Sequence, residues 1–132
     1  MIYSLDTCIC VHILSGNTKC MDKVEEKGIG AAFLPSVVVA ELFYGAYKSM
    51  KREQNLEKIQ QFIRQFKVVS FNNDAVKVYG EIRAELERKG NVIGSNDFFI
   101  AATAKAHDAI LVTNNTREFS RIPDLSIEDW TQ

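Results

Sequence analysis

The sequence holds no Gly-x-x-x-x-Gly-Lys loop to wrap a nucleotide phosphate and no Gly-x-Ser-x-Gly elbow to present a serine. P-loop nucleotide hydrolysis and the α/β-hydrolase reaction are therefore set aside. Its two histidines, His12 and His107, lie far apart with no ligand-like spacing to cysteine, so each reads as a packed or surface side chain. Cys8, Cys10 and Cys20 are an odd number crowded into the first twenty residues, and Cys8-x-Cys10 lacks the second pair that zinc would want. No basic stretch precedes Asp6 and no apolar run reaches membrane-spanning length. Free thiols in a reducing compartment, the cytoplasm, are the expectation. A net charge of -1 gives no global pull toward a polyanion, so any nucleic acid must be met by a local basic patch.

What remains is 132 residues, 46% hydrophobic and 25% charged, the profile of one domain over residues 1–132. Such a length buries about two-thirds of its unfolded surface. Apolar runs at residues 2–5, 31–34, 67–71, 109–112 and 125–127 read as short strands. Helical patterns fall between them at residues 8–14, 19–27, 37–49, 52–66, 75–89 and 98–106, with a helical turn over 116–121. Ser36 is placed to cap the helix at 37–49, and Ser95 or Asn96 the one that follows Gly94. That helix is rich in alanine and can lie close against a sheet. Trp130 is expected to pack back on the body. Strands alternating with helices predict an α/β fold with a mostly parallel, helix-covered sheet.

Three carboxylates stand where such a sheet binds ligands, at or beyond the carboxyl ends of its strands. Asp6 ends the first strand and also suits an N-cap. Asp97 lies in a first helical turn, where the helix dipole welcomes negative charge. Glu41 has Val37, Val38, Tyr44 and Gly45 as its helical neighbours, which predicts a carboxylate on an apolar face that needs a cation or a cleft. Oxygen ligands without imidazole or thiolate suit a hard metal, Mg²⁺ or Mn²⁺. An aspartyl phosphatase would want a second aspartate two residues after Asp6, where Cys8 stands. A metal-dependent phosphatase acting on small phosphates is the weakest alternative.

In this order and spacing the motifs resemble those of PIN-domain ribonucleases of the VapC toxin type, over essentially the whole chain. They are Tyr3-Ser4-Leu5-Asp6-Thr7, Val39-Ala40-Glu41-Leu42 with Tyr44-Gly45-Ala46, and Ile82-Arg83-Ala84-Glu85-Leu86. Then come Ile93-Gly94-Ser95-Asn96-Asp97, Leu111-Val112-Thr113-Asn114-Asn115 with Arg117-Glu118-Phe119, and the ending through Trp130. The resemblance implies a PIN-like three-layer α/β/α sandwich, Mg²⁺-dependent RNA cleavage, a cognate VapB-type antitoxin and a homodimer. It implies that Asp6, Glu41 and Asp97 are the core acidic residues, with Asp6 and Asp97 the direct metal ligands and Glu41 a further ligand or the residue that orients water. The family's fourth, often acidic, position falls on Asn115, with Glu118 nearby as a substitute or an exposed turn residue.

Transfer RNA, cut in the anticodon loop of the initiator, is the leading substrate on this resemblance. Lys48, Lys51 and Arg52, or Arg83, Arg88 and Lys89, are the basic clusters that could meet its phosphates. The outward apolar residues of the helix around Glu41 are candidates for the dimer surface. The contrasting reading is a catalytically weak PIN-like module that binds an antitoxin and supports promoter binding, a view that rests on the neutral Asn115.

Overall fold

The computed structural model describes residues 1–132. Five short strands, β1 (Tyr3–Leu5), β2 (Ala32–Pro35), β3 (Lys67–Val69), β4 (Ile110–Val112) and β5 (Ile127–Glu128), form one sheet in the order β3-β2-β1-β4-β5. Every pairing is parallel. Between the strands come α1 (Thr7–Leu14) and α2 (Thr18–Lys27), α3 (Ser36–Lys48) and α4 (Arg52–Ile63), α5 (Asn73–Lys89) and α6 (Ser95–Ala106), and last α7 (Thr116–Phe119).

Parallel neighbours require a crossover, and strand twist makes that crossover right-handed. The steps β1 to β2 to β3 move one way across the sheet, and β3 to β4 returns past β1. The first two helix pairs therefore cover one face and α5 with α6 the other, giving the α/β/α sandwich. The winding reverses between β1 and β4, which leaves a crevice at the carboxyl ends of those two strands.

The core explains why the strands are so short yet secure. Leu5, Leu34 and Leu111 are fully buried, as strands covered on both faces should be. In α6, Ile100, Ala101, Ala102 and Ala104 are also fully buried, and the small alanines allow the close approach that their sequence suggested. Trp130 is 1% exposed, its ring tilted against Tyr3 at 5.3 Å between centroids. Gly90, at φ 70°, closes α5 in the left-handed conformation glycine supplies without strain.

Several boundaries differ from the sequence expectation. Ser36 does not cap α3, because Pro35 takes the N-cap position and Ser36 becomes the first helical residue. Likewise Gly94 is the N-cap of α6, and neither Ser95 nor Asn96 makes a capping bond. The helix begun at Arg52 stops at Ile63, and Phe66 folds back beside Phe62 with ring centroids 5.0 Å apart. The last strand contains only Ile127 and Glu128, without Leu125 or Ser126. No helix is long and apolar enough to cross a membrane.

Candidate active site

At the end of β1 the backbone of Asp6 is extended (φ -72°, ψ 159°), and the chain enters α1. The Asp6 carboxylate is 5% exposed and held by three donors. The Thr7 N–H donates to Oδ1 (2.8 Å), the Thr113 hydroxyl to Oδ2 (2.7 Å) and the Cys8 thiol to Oδ2 (3.4 Å). Thr113 follows β4 directly, so side chains as well as backbone join the two strands at the switch point. Asp6 is thus an N-cap and also a carboxylate fixed at the crevice. Thr113 is fully buried; as a polar residue ending a strand it gave no sequence signal of this role.

Glu41 reaches the same place from the middle of α3. Its Oε1 accepts from the Thr7 hydroxyl at 2.9 Å, which ties it to the first turn of α1. Of the two expected settings, a cation or a cleft, the structure supplies the cleft, on a face less apolar than expected. Glu41 is only half-buried, with Tyr44 65% exposed and Gly45 exposed beside it. It forms a ridge between two open cavities, one of about 450 Å³ toward α1 and α4 and one of about 500 Å³ toward α6. No buried counter-ion is demanded at such a position, so the case for Glu41 rests on its neighbours.

Asp97 is the third residue of α6. Its pKa is pushed up from 3.8 to about 6, first by burial and then by the charges of Asp6, Glu118 and Glu41, with a hydrogen bond to Glu118 favouring the protonated form. The tight space is visible at Gly94, where an added Cβ would lie 3.3 Å from Asp97 Oδ2. Asn115 occupies the N-cap position of α7 without capping it. Its N–H donates to Thr113 Oγ1 (2.9 Å) and its side-chain amide donates to Glu118 Oε2 (3.0 Å). Glu118 is therefore half-buried among the carboxylates, and the exposed-turn reading of it does not fit. Asn115 and Glu118 stand here as a pair.

All of these side chains are oxygen donors, the chemistry of a hard divalent cation. The one sulfur nearby, Cys8, is pushed up to about 11 by burial and by Asp6, so it stays a thiol and is not a thiolate ligand. Four carboxylates crowd one edge, and a cation there would relieve the repulsion that lifts Asp97. In the arrangement seen, no three acidic, histidine or cysteine side chains close on a single point at ligating distance. The residues fit Mg²⁺ by donor type and charge rather than as a finished cage.

The basic clusters separate cleanly. Arg83 pairs with Glu87 (3.1 Å), while Arg88 and Lys89 both pair with Glu85 (2.9 and 3.0 Å). That group is ion-paired along α5, which makes it the weaker of the two phosphate patches. Lys48, Lys51 and Arg52 make no ion pair with an acidic side chain.

Residues 3–125 match the PIN domain family. The chain is 43% identical over 137 residues to Ribonuclease VapC2 of Rickettsia felis, an alignment covering 98% of each. It is 37% identical over 128 residues to the tRNA(fMet)-specific endonuclease VapC of Salmonella typhimurium, covering 97% of each. The crystal structure of VapBC2 from Rickettsia felis bound to a DNA fragment from their promoter matches with a TM-score of 0.93 at 43% identity, over 98% of this chain and 99% of that one.

Proposed function

The chain belongs to the PIN-domain family, among the VapC ribonucleases, and on that premise we propose that it is a toxin that hydrolyses RNA phosphodiester bonds with Mg²⁺. One observation carries the reading: Asp6 from the end of β1 and Glu41, Asp97 and Glu118 from three helices meet at one sheet edge, close enough that burial and mutual repulsion lift Asp97 to about 6. Proteins keep such crowding where chemistry uses it.

Asp6 and Asp97 would hold the ion, with Mn²⁺ an able substitute, and Glu41 and the Asn115–Glu118 pair would complete its surroundings. Bound there, the ion supplies charge relief for a phosphate oxygen and a lower pKa for water. The protein's own groups do the rest. Thr7 and Thr113 fix the Asp6 carboxylate so that it need not reorganise. Glu41, with Oε1 engaged by Thr7, leaves Oε2 to orient the attacking water and accept its proton. In-line attack leaves 5′-phosphate and 3′-hydroxyl ends.

The relatives extend the proposal to substrate and partners. Transfer RNA, and the anticodon loop of the initiator in particular, is the proposed target, met in the cytoplasm. A VapB-type antitoxin neutralises the toxin, and a homodimer uses exposed apolar residues of α3 such as Tyr47, beyond those facing Glu41. The contrasting view of a weak binding module drew on neutral Asn115, and Glu118, hydrogen-bonded to it, supplies the charge that Asn115 lacks.

The test is to incubate purified protein with transfer RNA, with and without a chelator, and map the ends. Cleavage that needs Mg²⁺ and leaves 5′-phosphates is expected. Intact RNA under all metal conditions would overturn the nuclease assignment.

A further inference from the structure

The cavity on the α6 side of Glu41 is built unlike its neighbour. Tyr44, Phe71, Phe99, Asn96 and Glu41 line about 500 Å³, within the range of ligand sites in proteins. Its aromatic wall is braced from behind. Phe99 stacks on Tyr79 (centroids 4.6 Å apart, planes at 26°), and Phe71 meets Phe99 edge-on at 5.0 Å. Tyr44 is 65% exposed although it is a large ring, and the Lys48 ammonium lies 5.6 Å from its centroid. Asn96 adds an exposed amide that makes no hydrogen bond to another side chain or to the backbone, one residue from Asp97. A rigid aromatic surface, a free amide and a positive charge thus stand directly beside an acidic edge.

We propose that this cavity receives one unpaired nucleobase of the RNA adjoining the cleaved phosphodiester, stacked on Tyr44 and Phe99, with its edge met by Asn96. The proposal rests on the nuclease reading and adds to it a specificity-determining subsite. Single-stranded RNA is recognised mainly through splayed bases that stack on aromatic rings and present their edges to amides. Continuity with the carboxylates is what commits the cavity to the substrate: Glu41 is a wall of it, so a base seated there leaves its flanking phosphate beside the acidic groups. Lys48 offers the backbone a cation on the outer side, where Lys51 and Arg52 continue the positive charge. A helical or base-paired RNA could not enter, which restricts cutting to loops.

The experiment uses the full chain and RNA hairpins carrying 2-aminopurine at successive loop positions, bound in the presence of chelator so that nothing is cut. Quenching at one loop position next to the cut is expected. Tyr44→Ala and Phe99→Leu should abolish that quenching and weaken binding roughly 5- to 100-fold, the worth of one base stack, while Tyr44→Phe retains both. Cleavage with Mg²⁺ should show the same change in KM with little change in kcat. Asn96→Ala should relax the preference for the base at that position. Unchanged KM and base preference in Tyr44→Ala and Phe99→Leu would overturn the subsite and leave the nuclease assignment standing. So would a Tyr44→Ala protein that loses self-association alone, since the face would then be covered by a second copy. Wild-type protein that cuts no RNA removes the nuclease reading itself, a separate result.

Discussion

At the amino ends of the strands, Ile2, Phe33 and Lys67 surround a small space of about 170 Å³ together with His107. The ring of His107 leans on Phe33 at 5.6 Å, and its Nδ1 meets the Thr103 carbonyl at 2.9 Å. A carbonyl only accepts, so Nδ1 carries the proton and the contact is complete. At the carboxyl ends, a few residues further along the same strands, four carboxylates share one edge. Asp6 is held there by donors, while Asp97 is lifted to about 6 by burial and its neighbours' charges. One end of the sheet resolves its polar groups locally and the other accumulates like charge. A folded chain gains no stability from crowding like charge, so the difference separates an end that maintains the fold from the end proposed to carry the chemistry.

The largest effect should come from removing a charge at the working end. Asp6→Asn or Asp97→Asn is expected to lower RNA cleavage by more than about 100-fold, beyond the usual loss for a supporting residue. In the absence of metal, thermal stability should stay level or rise in Asp97→Asn, where repulsion is relieved, and fall modestly in Asp6→Asn, which loses an acceptor for the Thr113 and Cys8 donors. Matched cleavage and melting curves check both halves. Full activity in either variant removes that residue from the site, and a large loss of stability would show that the edge serves the fold after all.

Next in size is the pair beyond β4. Glu118→Gln should reduce cleavage by about 10- to 100-fold, as supporting groups around a metal do. Asn115→Ala should cost less, since its amide acts by holding Glu118. Because the two act together, the double variant should resemble Glu118→Gln alone rather than the product of both losses. Equal and multiplicative losses would mean that Asn115 contributes its own oxygen to the ion.

How much of this was legible in the sequence depends on whether a feature is local. Asp6 and Asp97 were readable because each sits at an element boundary that the turn and the hydrophobic period mark. The small residues of α6 announced close packing for the same reason. Glu41 lies on the helix expected for it, but its surroundings differ. Counting helical neighbours treats Val37, Val38 and Tyr44 as one buried face, yet α3 runs along the mouth of the crevice, where Tyr44 points into open space. Thr113 was missed because its partner lies far along the chain: it meets Asp6 across 107 positions. Glu118 was undervalued because a short turn gives no sign that it faces Asp97. Ser36 and Ser95 failed as caps because Pro35 and Gly94, with extended backbones just ahead of them, had already taken the cap position.

Titration sharpens the contrast on a smaller scale. The raised pKa of Asp97 means that the folded, metal-free protein takes up its proton more readily than the unfolded chain does. The associated stability is fully present below the ordinary value of 3.8 and is lost as pH rises through about 6. At the proposed site Mg²⁺ would bind the deprotonated form, so the rise in melting temperature it gives should grow across that same window. Melting curves from pH 4 to 8, with and without Mg²⁺, should diverge toward high pH and run parallel in Asp97→Asn. A metal effect independent of pH would separate Asp97 from the ion.

The smallest effect belongs to the other end. His107→Ala removes the donor to the Thr103 carbonyl and the contact with Phe33, which should destabilise the chain by about 1–2 kcal/mol. Cleavage should not change. The direct partners of His107, the Thr103 carbonyl and the Phe33 ring, do not touch the carboxylates, so its loss should not reach Asp6 in a chain that still folds. If denaturant melts show the modest loss while RNA cleavage falls tenfold, the two ends are coupled through β1 or β4. The division between a supporting edge and a reacting edge would then have to be replaced by a sheet that transmits strain along its strands.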